Sequence, residues 1–191
     1  MRYRSANVSF LTLGPFEAQA RRLRLRLTLP ILRPMSLILF ILVVLGWGIG
    51  IGFFCQPGEW YARLKKPSFN PPNWAFAPAW TILYVLIAIA GWRTWEDGAN
   101  LAFTVWLSQL AVNYGWSPVF FRMHRARLAL ALIVILLALI FVFIALQWHA
   151  DRTAALLFIP YAGWVAFASM LNAMLLRLNG IELRSSSAER S

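Results

Sequence analysis

Charge is scarce in this chain, and much chemistry goes with it. Only 13% of the 191 residues are charged and 60% are hydrophobic, whereas an ordinary soluble domain is about a quarter charged and about half apolar. Long stretches hold no charge at all, so the few charges cannot coat a water-facing surface. This excludes a soluble enzyme, a disordered chain and a nucleic-acid-binding domain, despite the net charge of +11. A single cysteine, Cys55, excludes a disulfide scaffold. With only two histidines, His124 and His149, there is no CxxCH haem attachment and no clustered zinc site; no metal and no obligatory cofactor are expected. Asp, Glu, Lys, Arg and His are also missing from the cores of the apolar runs. That argues against an ion-coupled pump or a charged-filter channel, whose working groups sit in the membrane.

What is there is hydrocarbon. Crossing ~30 Å of bilayer takes roughly 20 apolar residues. Charge-free runs lie at Ser36–Cys55, Phe76–Gly91, Asn100–Phe121, Leu128–Trp148 and Thr153–Leu176. The expected fold is an all-α integral membrane protein, a bundle of five transmembrane helices at 35–180, with a polar tail at 181–191. Residues 1–34 differ from the rest: they carry seven of the eighteen basic residues, one acid and no tryptophan. The alternation Arg21-Arg22-Leu23-Arg24-Leu25-Arg26-Leu27 suits a membrane surface or a disordered basic arm. Met35 directly precedes the first run, and a mis-assigned start is the simplest account of this extension. Nine basic residues in short loops on one face against three on the other put the C-terminus inside, provided the extension is set aside; with its arginines the count is even.

The longest link, Gln56 to Ala75, holds Pro57, Pro67, Pro71 and Pro72. Proline fixes φ and extends its predecessor, so a stiff, shaped loop of the lid kind is expected. Polar groups in the runs are neutral: Gln109, Asn113, Ser117, Tyr84, Tyr114, Tyr161, Ser169 and Asn172, mostly suited to interhelical hydrogen bonds. Gly46, Gly48, Gly50 and Gly52, like Ala111/Gly115 and Ala162/Ala166, give small-residue spacings that let helices approach closely. There are ten tryptophans. A headgroup belt accounts for Trp92, Trp95 and Trp148, less well for Trp106, Trp116 and Trp164. If the second, third and fifth runs adjoin, Trp80, Trp116 and Trp164 converge under the proline-rich loop, and such a cage suits a large, flat, mostly apolar ligand.

Three motifs together point further. Glu59-Trp60-Tyr61-Ala62-Arg63-Leu64-Lys65-Lys66-Pro67-Ser68-Phe69-Asn70-Pro71-Pro72 is followed by Phe76-Ala77-Pro78-Ala79-Trp80-Thr81-Ile82-Leu83-Tyr84. Then come Asn113-Tyr114-Gly115-Trp116-Ser117-Pro118-Val119-Phe120-Phe121, and Pro160-Tyr161 with Trp164, Phe167, Ala168, Leu171 and Asn172. In this order the chain resembles the tryptophan-rich sensory protein (TspO/MBR) family, whose animal members are translocator proteins or peripheral-type benzodiazepine receptors. The resemblance implies a five-helix bundle, commonly a homodimer. It also implies a pocket under the first loop that takes porphyrins, haem or other tetrapyrroles and isoquinoline or benzodiazepine drugs. Carried over by motif position, the ligand-binding residues are Tyr61, Pro71, Trp80, Tyr84, Asn113, Trp116, Ser117, Trp164 and Ala168. Two departures stand out. Phe69 replaces a tryptophan found in many members, and Ala173 follows Asn172 where the animal sterol motif has its aromatic neighbourhood, so sterol binding is not expected.

The expected function is a membrane receptor or sensor for tetrapyrroles, tied to pigment metabolism or stress. Arg63, Lys65 and Lys66 at the rim suit propionates, although topology or lipid headgroups account for them equally well. Two alternatives stay open: a light-dependent porphyrin-degrading enzyme with Trp80 and Trp164 as redox residues, and a passive translocator of porphyrin or sterol. His124 and His149, in loops on opposite faces, are expected to be surface residues and not haem ligands.

Overall fold

The computed structural model describes residues 15–98 and 101–180, with side chains from Arg33 onward. The expectations for the polar tail and the first part of the extension lie outside the described residues. The chain divides into two units, Met1–Ser36 and Leu37–Ser191. In the first, the backbone is helical from Pro15, through the Arg–Leu alternation.

The helices are α1 Pro15–Phe54, α2 Glu59–Arg63, α3 Phe76–Glu96, α4 Leu101–Ser117, α5 Ala126–Ala150 and α6 Arg152–Leu178. A 3₁₀ turn, Asn73–Ala75, leads into α3, and a π-turn, Pro118–Arg122, extends α4. Each charge-free run is thus helical over its described residues, Cys55 at the end of the first excepted, because a backbone in hydrocarbon must satisfy its own hydrogen bonds. Four segments are long and apolar enough to cross a membrane: Arg33–Phe54, Asn73–Glu96, Ala126–Ala150 and Arg152–Leu178. The third run is shorter, with 17 residues in α4 before the π-turn. Leu42, Trp47, Ile49 and Phe53 on α1 are well exposed, a surface that lipid satisfies and water does not.

Asp151 makes the tightest connection. It ends α5 and caps α6, accepting from the N–H groups of Thr153 (3.0 Å) and Ala154 (3.3 Å). Arg93 at the end of α3 grips the same carboxylate through Nε (2.7 Å) and Nη2 (3.0 Å), the two-pronged geometry that makes such pairs strong. Burial alone would raise the Asp151 carboxyl; the Arg93 guanidinium and the two backbone N–H groups hold it below the ordinary carboxylate range. Nearby, Gln147 Nε2 donates to Thr94 Oγ1 (2.8 Å), and Trp106 Nε1 donates to the Ile87 carbonyl (2.9 Å). The Trp106 ring lies where a Cβ on Gly91 would be, so this close approach requires glycine. Phe143 and Phe158, both fully buried, face each other at 4.0 Å.

At the other end a smaller cluster forms from Tyr61, Leu64, Phe120, Ala126, Ala129 and Leu175, with Trp116 packed against both it and the main core. The first loop is pinned there by Asn179, just past α6. Its Oδ1 accepts from Lys65 N–H (2.8 Å), while its Nδ2 donates to Lys65 O (2.9 Å) and Leu175 O (2.8 Å). One buried amide therefore holds both backbone polar groups of a residue in a loop otherwise shaped by proline.

Of the α1 glycines, only Gly48 is forced by a neighbour. Its missing Cβ makes room for the Tyr84 ring, whereas Gly46, Gly50 and Gly52 have nothing within 4 Å. The expected small-residue contact is thus a single helix-to-side-chain approach.

Candidate ligand-binding site

A cavity of about 620 Å³ lies within the second unit, inside the size range of small-molecule sites. Four features shape it. Gly48 and Gly52 leave room on α1, and α3 contributes Trp80 and Tyr84 one turn apart. Pro118 has no N–H to continue the α ladder, so α4 widens into the π-turn, with Met123 N–H reaching Pro118 O at 3.0 Å. Such turns re-aim side chains. Here Trp116 stacks on Phe120 (5.2 Å, 12°) and meets Phe121 edge-on (5.9 Å), and all three rings line the wall. Finally, α6 supplies Trp164, Val165, Ala168 and Leu175.

Of the nine residues singled out from the sequence, Tyr61, Trp80, Tyr84, Asn113, Trp116, Ser117, Trp164 and Ala168 all line this one cavity. Pro71 does not: it is half-buried, accepts from Asn70 Nδ2 (2.9 Å) and shapes the loop. The loop's contribution is instead Gln56, Pro57, Tyr61 and Asn73. The rings are continuous, for Trp80 stacks on Tyr84 (5.3 Å, 29°) and meets Trp164 edge-on (6.4 Å, 84°), while Trp164 touches Phe76 (5.8 Å). Trp106 belongs to the packing at the opposite end, with its N–H already used.

Polar groups are few and neutral. Tyr84 donates to Asn113 Oδ1 (3.0 Å), Asn113 Nδ2 to the Tyr161 oxygen (2.7 Å), and Tyr161 to Gln109 Oε1 (3.0 Å). Among the described residues, the buried side-chain polar atoms left without a partner are Gln109 Nε2, Trp116 Nε1 and Trp164 Nε1. All three are donors, and two belong to cavity-lining residues. An unmet buried donor costs about 1–3 kcal/mol, so this wall is suited to a ligand that accepts.

Two further groups border the site. Burial pushes the Tyr61 hydroxyl above its usual value, against the opposing pull of its 3.5 Å contact with Asn70, and it stays protonated at neutral pH. Cys55, buried at the end of the first run, also lines the cavity. His124 is half-buried and stacked on Trp60 (4.4 Å, 20°), less superficial than expected; His149 is exposed. No group of three metal-binding side chains occurs among the described residues.

Phe120, Phe121, Gly48 and Cys55 were missed as wall residues. The signal for the phenylalanines was Pro118, a proline within an apolar helix one turn before them. Nothing local distinguishes Cys55.

The TspO/MBR family profile matches residues 38–178. The chain belongs to the TspO/MBR family. The matched segment spans nearly all of the helical bundle and every cavity-lining residue, and the first 37 residues lie outside it. Among its relatives, protein CrtK of Rhodobacter capsulatus is 39% identical over 133 residues, covering 67% of this chain and 83% of that protein. The tryptophan-rich sensory protein of Cereibacter sphaeroides is 39% identical, covering 67% and 82%. The human translocator protein is 30% identical, covering 63% and 75%. In this TspO/MBR chain three tryptophans, Trp80, Trp116 and Trp164, line the cavity, Trp106 is packed in the core, and Trp47, Trp74, Trp95 and Trp148 are exposed.

Proposed function

We propose that this membrane protein is a receptor for tetrapyrroles, and that its cavity is the binding site. The observation that carries the reading is the wall itself: stacked and edge-on indoles and phenols with no charge among them, and two indole N–H groups without partners. A flat macrocycle would lie against Trp80, Trp116 and Trp164, its acceptor edges meeting those N–H groups. The exposed Arg63, Lys65 and Arg122, on the loop and π-turn beside the cavity, would face its carboxylates. The names of relatives, a sensory protein and translocator proteins, fit a receptor role.

The same reading makes α4 a fifth span. With its π-turn it reaches ~33 Å at the helical rise, enough for the hydrocarbon core. The cavity end of the bundle carries Arg63, Lys65, Lys66, Arg122, Arg125, Arg127 and Arg177, against Arg93 and Arg152 at the other; with the N-terminal extension set aside, this asymmetry supports a cytoplasmic cavity end.

The test is a titration of protoporphyrin IX into the detergent-purified chain in the dark, following tryptophan quenching and the Soret band. One-site saturation, weakened by Trp164→Phe or Trp80→Phe, is expected. Non-saturating quenching that is identical in both variants would refute the site. A second reading, photo-oxidation of the bound macrocycle, is favoured by the Trp80–Tyr84 stack, which places two oxidisable rings in contact at the wall. New absorbance bands appearing only on illumination, and lost in Trp80→Phe, would move the assignment there.

A further inference from the structure

The hydrogen-bond chain behind the cavity wall can run in two directions. As it stands, Tyr84 gives its proton to Asn113, Asn113 donates to Tyr161, and Tyr161 donates to Gln109. Gln109 is fully buried and its Nε2 has no partner. Every member of this chain either donates and accepts through one hydroxyl oxygen or carries a carbonyl and an NH₂ on one planar amide. Turning the two amides over and rotating the two hydroxyl protons reverses all three bonds while the heavy atoms keep their places. Gln109 Nε2 then donates to Tyr161, Tyr161 to Asn113 Oδ1, and Asn113 Nδ2 to the Tyr84 oxygen. The Tyr84 proton is released, and Tyr84 lines the cavity.

The two directions differ only at their ends. In the first, the cavity meets a phenol whose proton is committed, and a buried N–H at Gln109 is wasted. In the second, one Gln109 N–H is satisfied, its other N–H and its carbonyl are left under-used, and the phenol proton needs an acceptor. An unpaired buried N–H is rarer in proteins than an under-satisfied carbonyl, so the second direction gains as soon as something in the cavity accepts from Tyr84.

We propose that Gln109, which does not line the cavity, is a positioning residue that sets the direction of this chain, and that an acceptor-bearing ligand reverses it and is held by Tyr84. This rests on the cavity being a ligand site and deepens that reading: it selects flat apolar ligands carrying a carbonyl-type acceptor over equally flat ones without it.

The test uses the purified full chain and a matched pair of probes, 9-fluorenone and fluorene, which share a flat tricyclic shape and differ in one carbonyl. Wild-type protein is expected to prefer the ketone by about tenfold, the worth of one buried hydrogen bond, and the carbonyl stretch of bound fluorenone to move to lower frequency. Tyr84→Phe removes both the preference and the shift. Gln109→Met gives the decisive sign. With no amide beyond it, Tyr161 must donate to Asn113, the chain is already reversed, and the ketone preference rises several-fold. A residue that merely supports the fold would change both affinities together and leave their ratio alone. A ratio unchanged or lowered in Gln109→Met, or a carbonyl stretch that is unshifted or insensitive to Tyr84→Phe, overturns the proposal. Should Gln109→Met fail to fold, the stretch in wild type against Tyr84→Phe decides alone. No porphyrin enters the experiment, so failure of tetrapyrrole binding and failure of this chain reversal are read separately.

Discussion

The bundle has two ends, and both are rich in aromatic rings, yet they use them in opposite ways. Near Asp151, Trp106 fills the space over Gly91 and its N–H meets Ile87 O, while Phe143 and Phe158 press together with no exposure. Near the first loop, Trp116 and Trp164 are only half-buried as residues, their N–H groups meet nothing, and the rings surround empty volume. Aromatic content alone therefore does not mark a site. What separates packing from recognition is whether each indole has already met its partner within the chain.

The contrast breaks most sharply at the packed end. Phe158→Ala opens a void where the neighbours cannot collapse, and is expected to cost about 3–5 kcal/mol, read as a large drop in the thermal midpoint in detergent. Next is Gly91→Ala, whose methyl must displace the hydrogen-bonded Trp106 ring; overpacking of this kind costs about 1–3 kcal/mol. Gly52→Ala is the control: with open space around it the methyl is accommodated, and stability is unchanged or raised by up to about 1 kcal/mol. At the cavity end the order of effects inverts. Trp164→Phe keeps most of the ring but loses the unpaired N–H, so porphyrin affinity falls about tenfold while stability barely changes. Equal effects of Trp164→Phe and Phe158→Ala on stability would erase the distinction.

A last substitution at the packed end sharpens it. Asp151→Asn loses the grip of Arg93, worth about 1 kcal/mol because the arginine is itself partly exposed. The folded carboxyl sits below its ordinary value, so its contribution is fully present above the ordinary carboxylate range, near pH 4, and fades as pH falls through the depressed value. Melting of wild type from pH 7 down to pH 3 should show this loss at the acid end. In Asp151→Asn that part of the acid dependence should vanish.

The helices were legible because hydrocarbon imposes one rule on every backbone group, and charge-free runs mark where it applies. The cavity was legible in part: Trp80, Trp116 and Trp164 announce themselves by type, and motif position added Tyr84, Asn113 and Ala168. Pro71 stands apart from the cavity wall, because a proline motif fixes a loop's path without saying which residue turns inward. The contact of Asn179 with Lys65 was invisible, since 114 residues separate a plain asparagine from a plain lysine and nothing in either neighbourhood betrays the pairing. Gln109 could be seen as a polar residue in an apolar run, but its unmet donor exists only once α4 and α6 are packed.

That distant pairing has a mechanical consequence. Asn179 is the first residue past the family match at 38–178, and its side chain is the pin on which the roof of the cavity hangs. Cutting the polypeptide at residue 178 would preserve every helix and every wall residue, yet unhook the loop that closes over them. Asn179, one residue past the last helix, thus belongs to the support of the cavity's loop, and the fold of that loop depends on a residue that lines none of the cavity.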